Sequence, residues 1–219
     1  MINRQAAVIS GFLIIAMLAA GLWAIAQLPA DARVVAHWGI DGQPNGWMNK
    51  WRGLLIGPAI AAIVWIVKAI VPFVDPRRAK LAQSAYAYGV VWLAVTAVIG
   101  VAQVTVVATA VGRFVDVPYV FGLATGALFL VVGNIFGKLR WSYFVGIRTP
   151  WTLDDEQVWD RTHRLGGWVW VIAGFAMIGS TLSLSPPLRV KALVALALVA
   201  AAVPVVGSYW FWRQKHARQ

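Results

Sequence analysis

The sequence predicts an all-α polytopic membrane bundle of six transmembrane helices, with a structured external loop and a short cytoplasmic amphipathic helix. Three observations predict it. Of the 219 residues, 60% are hydrophobic and 12% are charged, and the mean hydropathy is +0.72. Soluble domains carry about 25% charged residues. Six apolar runs each reach the length of about 20 residues that a helix needs to cross the hydrocarbon core. Lysine and arginine cluster between these runs, as they do where basic residues set orientation in a bilayer.

The runs cover about 8–28, 54–74, 86–111, 118–137, 166–184 and 190–212. The first begins beside Arg4 and could pass for a signal peptide. It exceeds the roughly 7–15 residues of such a segment's apolar region. It also ends in Ala26-Gln27-Leu28-Pro29-Ala30, a poor cleavage site, so it reads as a retained span. Backbone inside lipid must satisfy its own hydrogen bonds, which leaves helices or a closed barrel. The runs lack the alternation of a barrel strand.

Orientation follows from the basic residues. One side holds Arg4, Arg77, Arg78, Lys80, Lys138, Arg140, Arg148, Arg161, Arg164, Arg213, Lys215 and Arg218. The other holds Arg33, Lys50, Arg52, Arg113, Arg189 and Lys191, so the count is twelve against six with Lys68 left inside a span. The richer side is expected in the cytoplasm, with both termini inside. Trp23, Trp51, Trp168, Trp170, Trp210 and Trp212 lie near span ends and read as interface anchors or bundle packing. The net charge of +11 does not point to nucleic acid, because no basic stretch with interleaved aromatics lies outside a span. The chain has no cysteine, which excludes disulfides and thiolate chemistry.

The loop at 29–53 carries two turn signals, Asp41-Gly42 and Pro44-Asn45-Gly46, after the extended-looking Val34-Val35. A small β-like feature at the outer surface is expected there. Within it, His37, Trp38, Asp41, Gly42, Trp47 and Lys50 form a candidate external site. His37 could bind a ligand or sense pH. The structural alternative is that it bonds Asp41 or a backbone carbonyl and fixes the loop. A metal site needs a third ligand, which His37 and Asp41 lack. Lys50 and Arg52 are expected to face lipid phosphates or an acidic partner.

The loop at 138–165 leads into a helix start. Thr152 and Asp155 fit a capping box, and Asp154, Asp155 and Glu156 suit the positive end of a helix. Asp160 and Arg164 stand at i,i+4 in the favourable order. Trp159, Thr162 and His163 share one face. Capping and pairing account for the four carboxylates without catalysis or metal. The helix either lies on the membrane surface or runs straight into the fifth span past Gly166-Gly167. Gly133-Asn134-Ile135-Phe136-Gly137 has the form of a close-packing site. Asn134 is expected to bond a neighbouring helix, and Lys68 to snorkel toward the cytoplasmic surface. No serine–histidine–acid set, zinc helix or phosphate loop is present.

At these loops the sequence resembles the bacterial SdpI immunity-protein family. The resemblance rests on Gly146-Ile147-Arg148-Thr149-Pro150-Trp151-Thr152-Leu153, then Trp159, Thr162-His163-Arg164 and Gly167, over roughly 120–212. The first loop, with His37-Trp38, Asp41-Gly42, Pro44, Trp47 and Lys50, is similar to the accessory domain that often precedes that family's signature. The chain accordingly divides into 1–80, two spans around the external loop, and 81–219, four spans around the cytoplasmic loop. The resemblance implies a multi-pass protein of the bacterial cytoplasmic membrane. It would protect against a secreted peptide toxin or sense envelope stress, and in some members hold a cytoplasmic regulator. Asn134, Gly146, Arg148, Thr149, Pro150, Trp151, Thr152, Trp159, His163 and Arg164 form the cytoplasmic candidate site. No catalytic residue, cofactor or metal is expected, and the partners are the bilayer, a peptide toxin and a cytoplasmic regulator. The alternative function is a transporter or channel for a small solute or lipid, resting on Lys68, Asn134 and the glycine-rich spans.

Overall fold

A computed structural model describes residues 4–217; Arg218, counted above on the cytoplasmic side, lies outside them. Six helices are long and apolar enough to cross a membrane. They are α1 (Arg4–Gln27), α2 (Lys50–Val74), α4 (Ala85–Ala110), α5 (Val117–Phe136), α7 (Glu156–Ser183) and α8 (Pro186–His216). Two short helices, α3 (Arg78–Gln83) and α6 (Pro150–Asp154), lie between them. Strands β1 (Arg33–Trp38) and β2 (Pro44–Asn49) pair antiparallel as a hairpin. The expected all-α bundle and the small β feature are both present.

Of the two placements expected for the helix that follows the cytoplasmic loop, the second is present: Glu156–Ser183 is a single helix running through Gly166 and Gly167 into the fifth span, preceded by the short α6. Two adjacent glycines weaken an isolated helix by about 1 kcal/mol each. Here Gly166 lies against Ile147 and Gly167 against the α5 backbone. A Cβ on Gly167 would lie 2.9 Å from the Gly133 carbonyl oxygen, and one on Gly133 would lie 3.0 Å from that of Gly167. Gly126 and Gly174 repeat the contact further along the same pair of helices. In lipid, helices associate through such backbone proximity and van der Waals packing, so tertiary packing holds the helix where local propensity alone would let it break.

Helices α1, α2 and α4 pack on one another, as do α5, α7 and α8, and α4 joins the two groups along α5. One end of the bundle carries the β1–β2 hairpin, seated by Val34 against Ala24, Ile25 and Leu54. The opposite end carries α3, the 137–149 segment and α6. Its apolar floor joins Val71, Leu81, Tyr88, Val132, Phe136, Leu139 and Val145.

Candidate functional site

The segment between α5 and α7 closes over one histidine. His163 is 1% exposed and lies on the inner face of α7 with Trp159 and Thr162, both fully buried. The backbone N–H of Ile147 donates to His163 Nε2 at 2.9 Å, so Nε2 carries no proton there. His163 Nδ1, 2.9 Å from the Trp159 carbonyl oxygen, is then the protonated nitrogen and donates to it. The neutral tautomer is fixed and both ring nitrogens are occupied. Trp159 stacks on the imidazole at 4.0 Å between centroids and donates its indole N–H to the Leu139 carbonyl at 2.8 Å. Phe136 meets the ring edge-on.

Gly146 makes this closure possible. Its φ is +126°, and a Cβ would sit 2.4 Å from His163 Nε2 and 2.7 Å from Trp159 Cη2. Only glycine combines that dihedral with that approach. Beyond it, Thr149 and Thr152 cap α6 reciprocally: the Thr152 N–H donates to Thr149 Oγ1 at 3.2 Å, and the Thr149 N–H to Thr152 Oγ1 at 2.8 Å. Pro150 takes a first-turn position of α6, where a missing N–H costs nothing. Thr149 also bonds Ser208 on α8 at 3.0 Å, and Trp151 packs against Tyr209.

The same segment is tied to the α2–α3 turn. Buried Asp75 accepts from Ser142 Oγ at 2.7 Å and from the Arg77 N–H at 2.8 Å. The Arg77 guanidinium lies 3.3 Å from the Trp141 ring centroid and 4.0 Å from that of Tyr143, and donates to the Leu153 carbonyl. Lys80 pairs with Glu156 at 2.5 Å, and Lys215 with Asp155. Sequence reading missed Asp75, Arg77, Trp141, Ser142 and Ser208. Arg77 enters the sequence reading only as an orientation charge at the end of a span. The available signal was an acid directly at the end of an apolar run, where a solvated loop has no need of one.

Several expectations are corrected. Thr152 does not start the helix that Asp155 continues. Thr149 caps α6, and Asp155 itself caps α7 by accepting from the N–H groups of Gln157 and Val158. A five-residue helix inserted before α7 moves the box three residues back. Asp160 and Arg164 form no ion pair among the described residues. Arg164 and Arg148 are exposed, and Arg148 donates to the Tyr143 carbonyl at 3.1 Å. Asn134 is exposed on α5 and bonds no neighbouring helix, because the inward face there belongs to Gly133. Lys68 does not snorkel: it is 3% exposed, on the α2 face turned into the bundle. Neither Lys68 nor Asn134 lines the cavities of about 680 and 590 Å³, whose walls are apolar except for Gln103, Thr105 and His37.

Burial pushes the Asp155 carboxyl up, but the Lys215 ammonium and the N–H groups of Val158 and Gln157 outweigh it. The group is held below the usual carboxylate value.

At the hairpin end, His37 bonds Asn45 rather than Asp41, with Nδ1 2.5 Å from Asn45 Oδ1. Asp41 instead accepts from the Gln43 N–H, closing the turn at Gly42, whose φ is +78°. Lys50 is buried rather than turned to the surface. Its ammonium donates to the carbonyls of Ile25 at 3.1 Å and Leu28 at 2.7 Å, capping the C-terminal end of α1. A cation there also suits the helix dipole. Trp38 turns toward α5 and α8, while Trp47, Met48 and Ile40 are exposed. The six candidates of this loop therefore do not converge on one point.

Six apolar helices, closed at one end by a hydrogen-bonded loop and at the other by a hairpin, define a multi-pass α-helical membrane protein. Residues 138–208, the locked loop with α7 and most of α8, match the model of the SdpI/YfhL protein family, as the resemblance read from the loops implies. Residues 12–62 match a domain of unknown function, DUF1648, which bears out the two-part resemblance read from the loops. The chain is 27% identical over 112 residues to the immunity protein SdpI of Bacillus subtilis (strain 168), covering 51% of this chain and 54% of that protein. It thus spans about half the length of that relative. No solved structure matches the chain.

Proposed function

We propose that this protein gives a bacterial cell resistance to a secreted antimicrobial peptide, acting without enzymatic chemistry. It would sit in the cytoplasmic membrane with both termini inside. The observation that carries this reading is the similarity to a protein named for immunity. The geometry of the matched segment supports it. His163 has both nitrogens committed to backbone partners, and Arg148 is exposed and bonds the Tyr143 carbonyl, so the segment suits a mechanical lock better than a reacting centre.

On this reading the 29–53 loop faces outward and presents Ile40, Trp47, Met48 and Trp51, four exposed apolar side chains, to the peptide. The inner loop holds the bundle in the peptide-resistant form. Its exposed Arg148 and Arg164 form a surface for a cytoplasmic regulator, which would let the same protein signal.

The test is expression in a peptide-sensitive host challenged with a panel of secreted bacterial peptides. Survival should rise for at least one peptide, and Trp47→Ala should reduce that protection at unchanged membrane abundance. Unchanged survival across the panel would remove the proposal's support.

A further inference from the structure

A lateral groove of about 590 Å³ opens between the two helix groups at the hairpin end. Ile56 and Ile60 of α2 form one wall and Val194 of α8 the other. Ala102 of α4 and Phe121 of α5 form the floor, and Trp38 of β1 forms the roof. Ile56 and Ile60 are about half exposed, so the groove faces the surrounding lipid.

Two cations stand at its upper rim. Arg52 lies four residues before Ile56, and Lys191 three before Val194. Residues at these spacings share a helix face, so each cation stands one turn above a wall residue. Both α2 and α8 begin at the hairpin end, and helical side chains lean toward the helix N-terminus. Both cations therefore reach toward the headgroup layer. Both are exposed, and neither has an ion-pair partner among the described residues.

We propose that this groove binds one anionic phospholipid. An acyl chain lies between α2 and α8 over Ala102 and Phe121, and the phosphate sits beneath Arg52 and Lys191. A mainly apolar slot, with Gln103 and His37 as its polar lining and two exposed cations one turn above its walls, matches an amphiphile whose charge is at one end. It does not match a small polar solute, which would leave the apolar walls in contact with polar groups.

The test uses the full chain, purified in detergent and titrated separately with phosphatidylglycerol and phosphatidylcholine under native mass spectrometry. One phosphatidylglycerol per chain is expected, held at least about fivefold more tightly than phosphatidylcholine, in line with the attraction of one surface cation to an anionic lipid. The double variant Arg52→Gln/Lys191→Gln should abolish that preference. Ala102→Trp, which fills the floor, should lose both lipids, and Val194→Phe serves if Ala102→Trp does not fold. Equal affinity for the two lipids, or wild-type binding by a folded groove-filling variant, would overturn the proposal. So would a groove-filling variant that keeps lipid but loses peptide protection, which gives the groove to the peptide. A dimer that dissociates in that variant while lipid stays bound would give it to a second copy.

Discussion

The Ile147 N–H and His163 Nε2, 2.9 Å apart, join the family segment's loop to the helix that follows it. The bond is inside the protein, since His163 is 1% exposed. Removing its acceptor leaves a buried amide without a partner, at a cost of about 1–3 kcal/mol, with the loss of ring packing added. His163→Ala should lower the thermal midpoint in detergent markedly. His163→Gln, whose amide oxygen reaches near the position of Nε2, should recover part of the loss. Equal midpoints for the two variants would show that the hydrogen bond contributes little.

Gly146→Ala tests the same closure from the other side. A β-carbon at φ +126° against the imidazole and indole rings forces the loop to move. Strain of this kind costs about 1–3 kcal/mol. Limited proteolysis should cut the 138–149 segment faster in the variant, while the hairpin end keeps its wild-type pattern.

The Asp155–Lys215 pair predicts an acid-sensitive contribution. The folded carboxyl is held below its unfolded value of 3.8, so the stabilisation is fully present above that value. It is lost as pH falls through the lower folded value. Asp155→Asn keeps a side-chain oxygen to cap α7 and removes the charge. Wild type should exceed the variant by less than about 1 kcal/mol near neutral pH, because Lys215 is partly exposed. Unfolding curves for the two should converge well below pH 3.8, and a difference that persists there would show the charge is not its source.

Lys50→Met removes the cap on α1 and leaves the Ile25 and Leu28 carbonyls unbonded. A loss of about 1–3 kcal/mol is expected, since the donor is charged. Hydrogen exchange should quicken at the end of α1 and in the hairpin, which Lys50 joins to α2. Exchange confined to α2 would argue against the cap.

Gly133→Val should separate α5 from α7. The atoms its β-carbon meets are Trp170 Cβ, the Val171 nitrogen and the Gly167 carbonyl oxygen, none of which can rotate away. Cysteine pairs placed across the α5–α7 interface should cross-link less readily than in the parent.

The six spans and the hairpin followed from the sequence because the bilayer constrains both. Length and apolarity suffice for a span, and Asp41-Gly42 with Gly46 suffices for a turn. The family signature was also legible, as residue types at given spacings. The partners of those residues were not. Lys50, expected to face lipid phosphates or an acidic partner, caps α1, and His37, expected to bond Asp41 or a backbone carbonyl if structural, meets Asn45. Asp160 and Arg164 have the right spacing but form no ion pair among the described residues. The sequence by itself determined which segments enter lipid and where glycine, proline and threonine would shape the loop. Only the tertiary structure decided that Gly146 lies against His163, that Asp75 holds Ser142, and that Gly167 meets Gly133. Those contacts join residues far apart in the chain, and their geometry depends on how the helices pack rather than on any local pattern.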